Sequence, residues 1–417
     1  MRLGARLCQP HMVASERANA AIQAPCRPFG VGTSDLRRSA NRKCPLVGPA
    51  HPFRTVGAVK VALLGTRGIP ALHGGFETAV QFIGPGLARR GWDVTVYCRN
   101  PGQKLREYEG TRLVNLPALR MKTAETLSHT ALSAGHALFQ DLDVAIVFNS
   151  GNAPFVTPLK LRGLPVAVHI DGLEAQRAKW EGAGAKYYAW AERSSVKHAD
   201  AIIADARAIG DYVRDRYGRD SVYLPYGAPL VDPPTPRLAE LGLQAQGYHL
   251  SVARFEPENH VVEIVRGYQR SKAALPLVVV GAASYSHEYA EAVADAARGD
   301  QRIRLLGAIW DQELLDQLYV GSRSLLHGHS VGGTNPSLLR AMGAGTRITA
   351  YDCVFNREVT DGHARWFHDE AGVGTAVELD ESAPDERGAA VRRRAETAYV
   401  WEDVIDGYAA LCERLAR

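Results

Sequence analysis

Short apolar runs ending in glycine or a polar residue, each followed by a loop and a helix-spaced segment, recur in two series along this chain. The first series opens with "VKVALLG" at Val59, the loop "TRGIPALHGG", the helix-spaced "FETAVQFIGPGLARRG" and a second apolar run, "WDVTVYCR". That order predicts a βαβ unit, because parallel strands need a crossover and are buried on both faces. "LDVAIVFNS", "LPVAVHIDG", "ADAIIADA" and "SVYLPYGAP" extend it. The turn-rich "LVDPPTPRL" then breaks the pattern, and "YHLSVAR", "HVVEIVRGYQRS", "LPLVVVGAA", "RIRLLGAI", "DQELLDQLYVGS" and "TRITAY" restart it. The reading is two doubly wound α/β domains in tandem. Ligands of such sheets sit beyond the carboxyl ends of the strands, so a cleft between two of them faces both.

The boundaries follow from the same breaks. Residues 1–58 form a basic extension, 59–232 a first Rossmann-like domain, 233–397 a second, and 398–417 a terminal helix. Gly84-Pro85-Gly86 predicts a kink or break in the first helix, since proline removes a donor and glycine weakens the helix.

The extension carries nine Lys and Arg against Glu16 and Asp35, with no apolar periodicity and no secretory-signal core. It reads as disordered or as the product of an early start codon, with a transit-like or lipid-touching segment as the alternative. Residues 59–230 carry a net +5 and residues 231–417 a net −8. Basicity is thus spread out rather than gathered into a nucleic-acid footprint. No run approaches eighteen apolar residues, so no membrane-spanning helix is expected. Six scattered cysteines without a Cys-x-x-Cys pair suit a reducing cytosol.

Several loops carry recognisable chemistry. In "HGHSVGGTNPSLL", Asn335 is placed to cap a helix and Pro336 fits its first turn. Its glycines let backbone N–H groups approach a ligand, and a helix start favours phosphate. A tight connection would use the same residues. Arg254 closes a strand where a diphosphate would lie, and a guanidinium matches phosphate oxygens. Glu258 and Asn259 follow it in the same loop. Glu77 stands at a helix start, able to accept sugar hydroxyls or to complement the dipole. "HIDGLEAQRAKW" gathers His169, Asp171, Glu174, Arg177 and Lys179 after a strand. His327 and His329 lack a zinc-like partner set, and Asp141-Leu-Asp143 leads straight into a strand, so no metal site is expected. The dinucleotide, P-loop and hydrolase-elbow fingerprints are absent.

"GTRGIPALHGGFET", "DGLEAQRAKW", "LPYGA", "VARFEPENH", "HGHSVGGTNPSLL" and "VFNREV" together resemble the retaining GT-B glycosyltransferases of the family 4 type, within a bacterial rhamnosyltransferase-like branch. The resemblance runs in order from about Val59 to Arg417 and omits the extension. It implies a GT-B fold, two Rossmann-like domains facing a central cleft, with a nucleotide-sugar bound by the second and an acceptor by the first. The last helix would cross back to the first domain. It also implies sugar transfer with retention in cell-surface polysaccharide synthesis, without metal or other cofactor, in the cytoplasm or at the inner face of the membrane. The acceptor would be a saccharide or a lipid-linked saccharide, and the mildly basic first half suits peripheral contact with anionic lipid.

Residue by residue, the resemblance points to Arg254, Glu258, Asn259, His329, Ser330, Gly332, Gly333, Thr334, Asn335 and Arg340 on the donor side. Arg67, Gly74, Gly75, Phe76, Glu174, Arg177 and Lys179 fall on the acceptor side. Asn149, Glu77 and Asp171 fall at the reacting centre. Relatives carry a glutamate at the position of Arg340, which accepts hydrogen bonds from ribose hydroxyls. An arginine has only donors and cannot make that contact. Gly332 and Ala175 likewise replace an acid and an aromatic residue. A degenerate homologue that binds a saccharide or partner, and a GT-B epimerase or phosphorylase, therefore stand as alternatives.

Overall fold

The structure is a computed structural model and describes residues 58–71, 74–99, 104–119, 124–172, 182–283, 287–383 and 385–417. All but the last residue of the extension, and Glu174, Arg177 and Lys179, lie outside the described residues.

The first sheet contains β1 (Lys60–Leu64), β2 (Asp93–Cys98), β3 (Glu107–Tyr108), β4 (Thr111–Asn115), β5 (Val144–Phe148), β6 (Val166–Ile170), β7 (Ala201–Ala204) and β8 (Val222–Tyr223). The second contains β9 (His249–Val252), β10 (Leu277–Val280), β11 (Ile303–Gly307), β12 (Ser324–His327), β13 (Ile348–Tyr351) and β14 (Arg365–Phe367). Their orders are β3-β4-β2-β1-β5-β6-β7-β8 and β11-β10-β9-β12-β13-β14. Every pairing is parallel except the edge hairpin β3–β4. The central strands β5 (VAIVF) and β6 (VAVHI) are buried along their whole length, as continuous apolar runs between two helical layers should be.

These orders place the crevices. Strand order reverses between β1 and β5 in the first sheet and between β9 and β12 in the second. Adjacent loops leave such a switch point on opposite faces of the sheet and open a crevice there. The loops concerned are those after Leu64, Phe148, Val252 and His327.

One apolar cluster runs from Leu63 and Ile146 through Tyr226 and Ala228 to Leu250 and Leu339, so the two sheets share a core. The last helix, Trp401–Leu415, puts Val404, Ile405 and Tyr408 into that cluster and packs on the helix Gly75–Arg89 of the first sheet. Each such fully buried side chain contributes about 1.5–3 kcal/mol. Arg90 pairs with Glu402 at 2.8 Å and Asp406 at 2.5 Å, but these acids are exposed and add little by comparison.

The helix Gly75–Arg89 is continuous through Pro85, which corrects the expected break. The flanking glycines serve packing instead. Gly84 lies against Thr111, and a Cβ on Gly86 would stand 2.4 Å from Ile405 of the last helix. Close approach of a second helix and a strand supports this segment from both sides. The Asp-Leu-Asp run lies at the amino ends of β1 and β5, away from the crevices. Asp141 pairs with the Lys60 ammonium, and Asp143 accepts the Lys60 N–H at 2.8 Å.

Candidate active site

On the first sheet, Gly74 takes a left-handed φ of 106° and Gly75 opens the helix. Gly75 faces the Tyr226 ring, which a Cβ would approach to 3.2 Å. Buried Glu77 folds the loop back on the helix: its Oε1 accepts the Arg67 N–H at 2.8 Å. Phe76 is a core residue, with its ring 5.4 Å from Phe148 and 5.3 Å from His169. Asn149 follows β5 with φ 71°, an uncommon conformation for a residue with a side chain. Its Oδ1 accepts the Gly151 N–H at 2.7 Å and caps the short helix Ser150–Phe155.

On the second sheet, the loops after β9 and β12 are laced together. Asn259 donates to the Arg254 carbonyl at 2.8 Å and meets the His329 ring nitrogen Nδ1 at 2.8 Å through its Oδ1. The Ser330 N–H and hydroxyl both donate to the Glu258 carbonyl, at 3.0 and 3.1 Å. Arg254, Glu258, Asn259, His329 and Ser330 thus form one assembly. The Arg254 side chain is 42% exposed, 3.7 Å from Glu256, and remains able to reach a ligand. Asn335 caps the helix Pro336–Gly343 by accepting the Ser337 N–H at 2.9 Å. His327 is buried in β12, where desolvation pushes its imidazole down to about 4.

The glycine loop of the second sheet touches the first. The Gly333 N–H donates to the Asp171 carbonyl at 2.9 Å, and the Thr334 N–H to Asp205 Oδ2 at 3.1 Å. Two amides expected to face phosphate are therefore engaged by the opposite sheet. Tyr226 links both glycine loops: its ring lies against Gly75, while its N–H donates to the Thr334 hydroxyl at 3.2 Å. Burial, and next the nearby Asp171, hold the Asp205 carboxyl well above the usual carboxylate range. Burial first, then Asp171 and Asp205, likewise push the Tyr226 phenol up. Beneath them His169 is fully buried and pushed down to about 3 by desolvation, and its Nδ1 meets the Tyr408 hydroxyl at 2.9 Å.

Arg340 turns toward the helix Gln312–Gly321 and pairs with Asp316. Beside it the Ser337 hydroxyl donates to the Val252 carbonyl at 2.9 Å and lies 2.7 Å from the Tyr319 hydroxyl. Among the described residues no three His, Cys, Asp or Glu side chains converge as the ligands of a metal would.

Residues 74–227 match the family model of the glycosyl transferase 4-like domain. Sucrose-phosphate synthase from Thermosynechococcus elongatus superposes with a TM-score of 0.72 at 20% identity, over 86% of this chain and 99% of that one. HepE of Anabaena, solved in complex with UDP and glucose, gives 0.70 at 13% identity, over 85% and 99%. The fold is GT-B. Trehalose 6-phosphate synthase from Burkholderia multivorans gives 0.67 at 14%, over 86% and 97%. No curated protein matches the sequence.

In this GT-B chain the crevice loops hold most of the candidate residues, and three more belong beside them. Asp205, Tyr226 and Tyr408 carried no role in the sequence reading. Asp205 is the last polar residue of the run "ADAIIADA" and Tyr226 lies in "LPYGA". A polar residue at a strand's carboxyl end was the available signal for Asp205. Nothing local distinguishes Tyr408 from the other apolar-face residues of its helix.

Proposed function

We propose that this chain transfers a sugar, with rhamnose the first to test, from a nucleotide-sugar to a saccharide or lipid-linked acceptor, with retention and without a metal. One observation carries the reading. The two glycine loops, each at the switch point of its own sheet, are brought onto a single residue, Tyr226. A reacting sugar held by one loop would there meet groups presented by the other. The match over 74–227 and the UDP-glucose bound by HepE support a nucleotide-sugar donor.

The chemistry asks for stabilisation of a departing nucleoside diphosphate. The exposed Arg254 guanidinium supplies charge-assisted donors, and the start of the helix Pro336–Gly343 adds a favourable dipole. Peripheral contact with anionic lipid through the basic first half, at the inner face of the cell membrane, belongs to the same reading. Among the described residues no helix is long and apolar enough to cross a membrane.

A donor screen tests the reading. The full chain is heated with UDP-, GDP- and dTDP-sugars, because a ligand of the native state raises the melting temperature. Donors that bind are then incubated with saccharide and lipid-linked acceptors, and the product anomer is read by NMR. Binding with transfer supports the reading; inverted product overturns retention. Epimerised donor without acceptor points to an epimerase, and binding without turnover to a degenerate homologue. No binding and no transfer across the panel overturns the proposal.

A further inference from the structure

The Asp205 side chain is wholly buried at the carboxyl end of β7, yet what it holds belongs to the other sheet. Its Oδ2 accepts the Thr334 N–H at 3.1 Å. The Thr334 hydroxyl lies 3.1 Å from the same oxygen and 3.2 Å from the Asp205 carbonyl, so one proton serves two acceptors. That hydroxyl also accepts the Tyr226 N–H, from the segment where the chain leaves the first sheet. Asp205 Oδ1 has no hydrogen-bond partner among the described residues and lies against Gly333, where a Cβ would stand 2.0 Å away.

A buried carboxyl group is costly to desolvate, and burial with one oxygen unpartnered is costlier still. Ordinary packing of two domains has no need of it, since an apolar side chain of similar size would fill the space. Thr334 is equally specific in its demands: it uses its amide and both sides of its hydroxyl. The loop thus fixed is the one whose glycines bring backbone close to the reacting centre under the proposed function.

We propose that Asp205 is a positioning residue for the transfer reaction, an anchor that acts through Thr334 to hold the Gly332-Gly333-Thr334 loop at a set distance from Gly74 and Gly75. The inference rests on the proposed function for its catalytic meaning, and on the hydrogen bonds alone for the anchor. Asp205 does not touch the substrate. It fixes a loop that does.

The test uses the full chain and the variants Thr334→Val, Thr334→Ser and Asp205→Ala, with UDP-glucose and dTDP-rhamnose as donors. Valine keeps the shape of threonine without the hydroxyl, whereas serine keeps the hydroxyl. Misplacing a reacting group by a fraction of an ångström to 1 Å is expected to lower kcat by up to about 100-fold in Thr334→Val, with donor KM changed less than about twofold. Thr334→Ser restores kcat to within about threefold of the parent. A parental kcat in Thr334→Val, or no recovery in Thr334→Ser, overturns the proposal.

Hydrogen exchange read on the peptide spanning 328–338 provides a readout independent of turnover. Asp205→Ala and Thr334→Val should each speed exchange there by about tenfold while β5 and β6 keep their protection. Unchanged protection in the Thr334→Val loop overturns the anchor, whatever the activity. Should the parent transfer no sugar across the full UDP-, GDP- and dTDP-sugar panel, the functional reading fails on that result and the exchange data still decide the anchor.

Discussion

Arg340 on the helix Pro336–Gly343 is paired with Asp316 on the helix Gln312–Gly321, each side chain only 19% exposed. The arginine that stands where the resemblance implies a glutamate is paired with an acid of its own. Arg340→Glu would set two carboxylates together and should destabilise the fold by about 1–3 kcal/mol. Adding Asp316→Arg should recover most of that loss. Urea denaturation of the four proteins in a double-mutant cycle checks it, and a coupling below about 0.5 kcal/mol contradicts the pairing.

Arg254 is the exposed cation beside the laced loops of the second sheet. Arg254→Ala should weaken nucleoside diphosphate binding by about 10- to 100-fold, the worth of a charge-assisted contact, without lowering the melting temperature. Arg254→Lys should recover part of it, because an ammonium keeps the charge but loses the planar fork. Titration calorimetry with UDP and dTDP separates the three proteins; equal affinity in all would remove Arg254 from the donor site.

His169 gives the protein an acid limit. Its imidazole is buried neutral and titrates near 3, against an ordinary value of 6.5, so the unfolded chain takes up the proton first. The stability from this group is complete above about pH 6.5 and drains away as pH falls toward 3, by about 5 kcal/mol in all. His169→Gln keeps a partner for Tyr408 but cannot be protonated in this range. Its stability measured from pH 7 to 4 should fall less steeply than the parent's; parallel curves would refute the assignment.

Gly86 admits Ile405 of the last helix to the face of the first. Gly86→Val should cost about 1–3 kcal/mol through overpacking, although valine itself is acceptable in a helix. Gly91, where an added Cβ meets nothing, provides the control for exposure, as Gly91→Asn keeps a residue tolerant of its left-handed φ of 84°. Denaturation midpoints that shift equally for both would show that Gly86 is not a packing position.

Much of the fold was readable because parallel strands buried on both faces leave continuous apolar runs. β5, β7 and β10 each show as such a run bounded by polar or turn residues. The edge hairpin of β3 and β4 leaves little local signal: two and five residues long, "EY" and "TRLVN" are too short and too polar to mark a period. The helix Glu125–Ala137 has no apolar periodicity to announce it, since its buried face is His, Thr, Ser and Ala rather than large apolar residues. At the site, glycines and strand-end cations were legible because a loop needs them locally. The Asp205–Thr334 contact spans 129 positions, and no local pattern announces it.

The position of the last helix has a consequence for how the molecule is made. Val404, Ile405 and Tyr408 complete the apolar layer of the first sheet, although they follow its last strand, Val222–Tyr223, by about 180 residues. Synthesis proceeds from the amino end, and domains made early usually fold early. Here the earlier half emerges with part of its apolar surface uncovered and stays so until the last helix is made. A nascent chain of this design depends on being shielded from its neighbours while its second half is made.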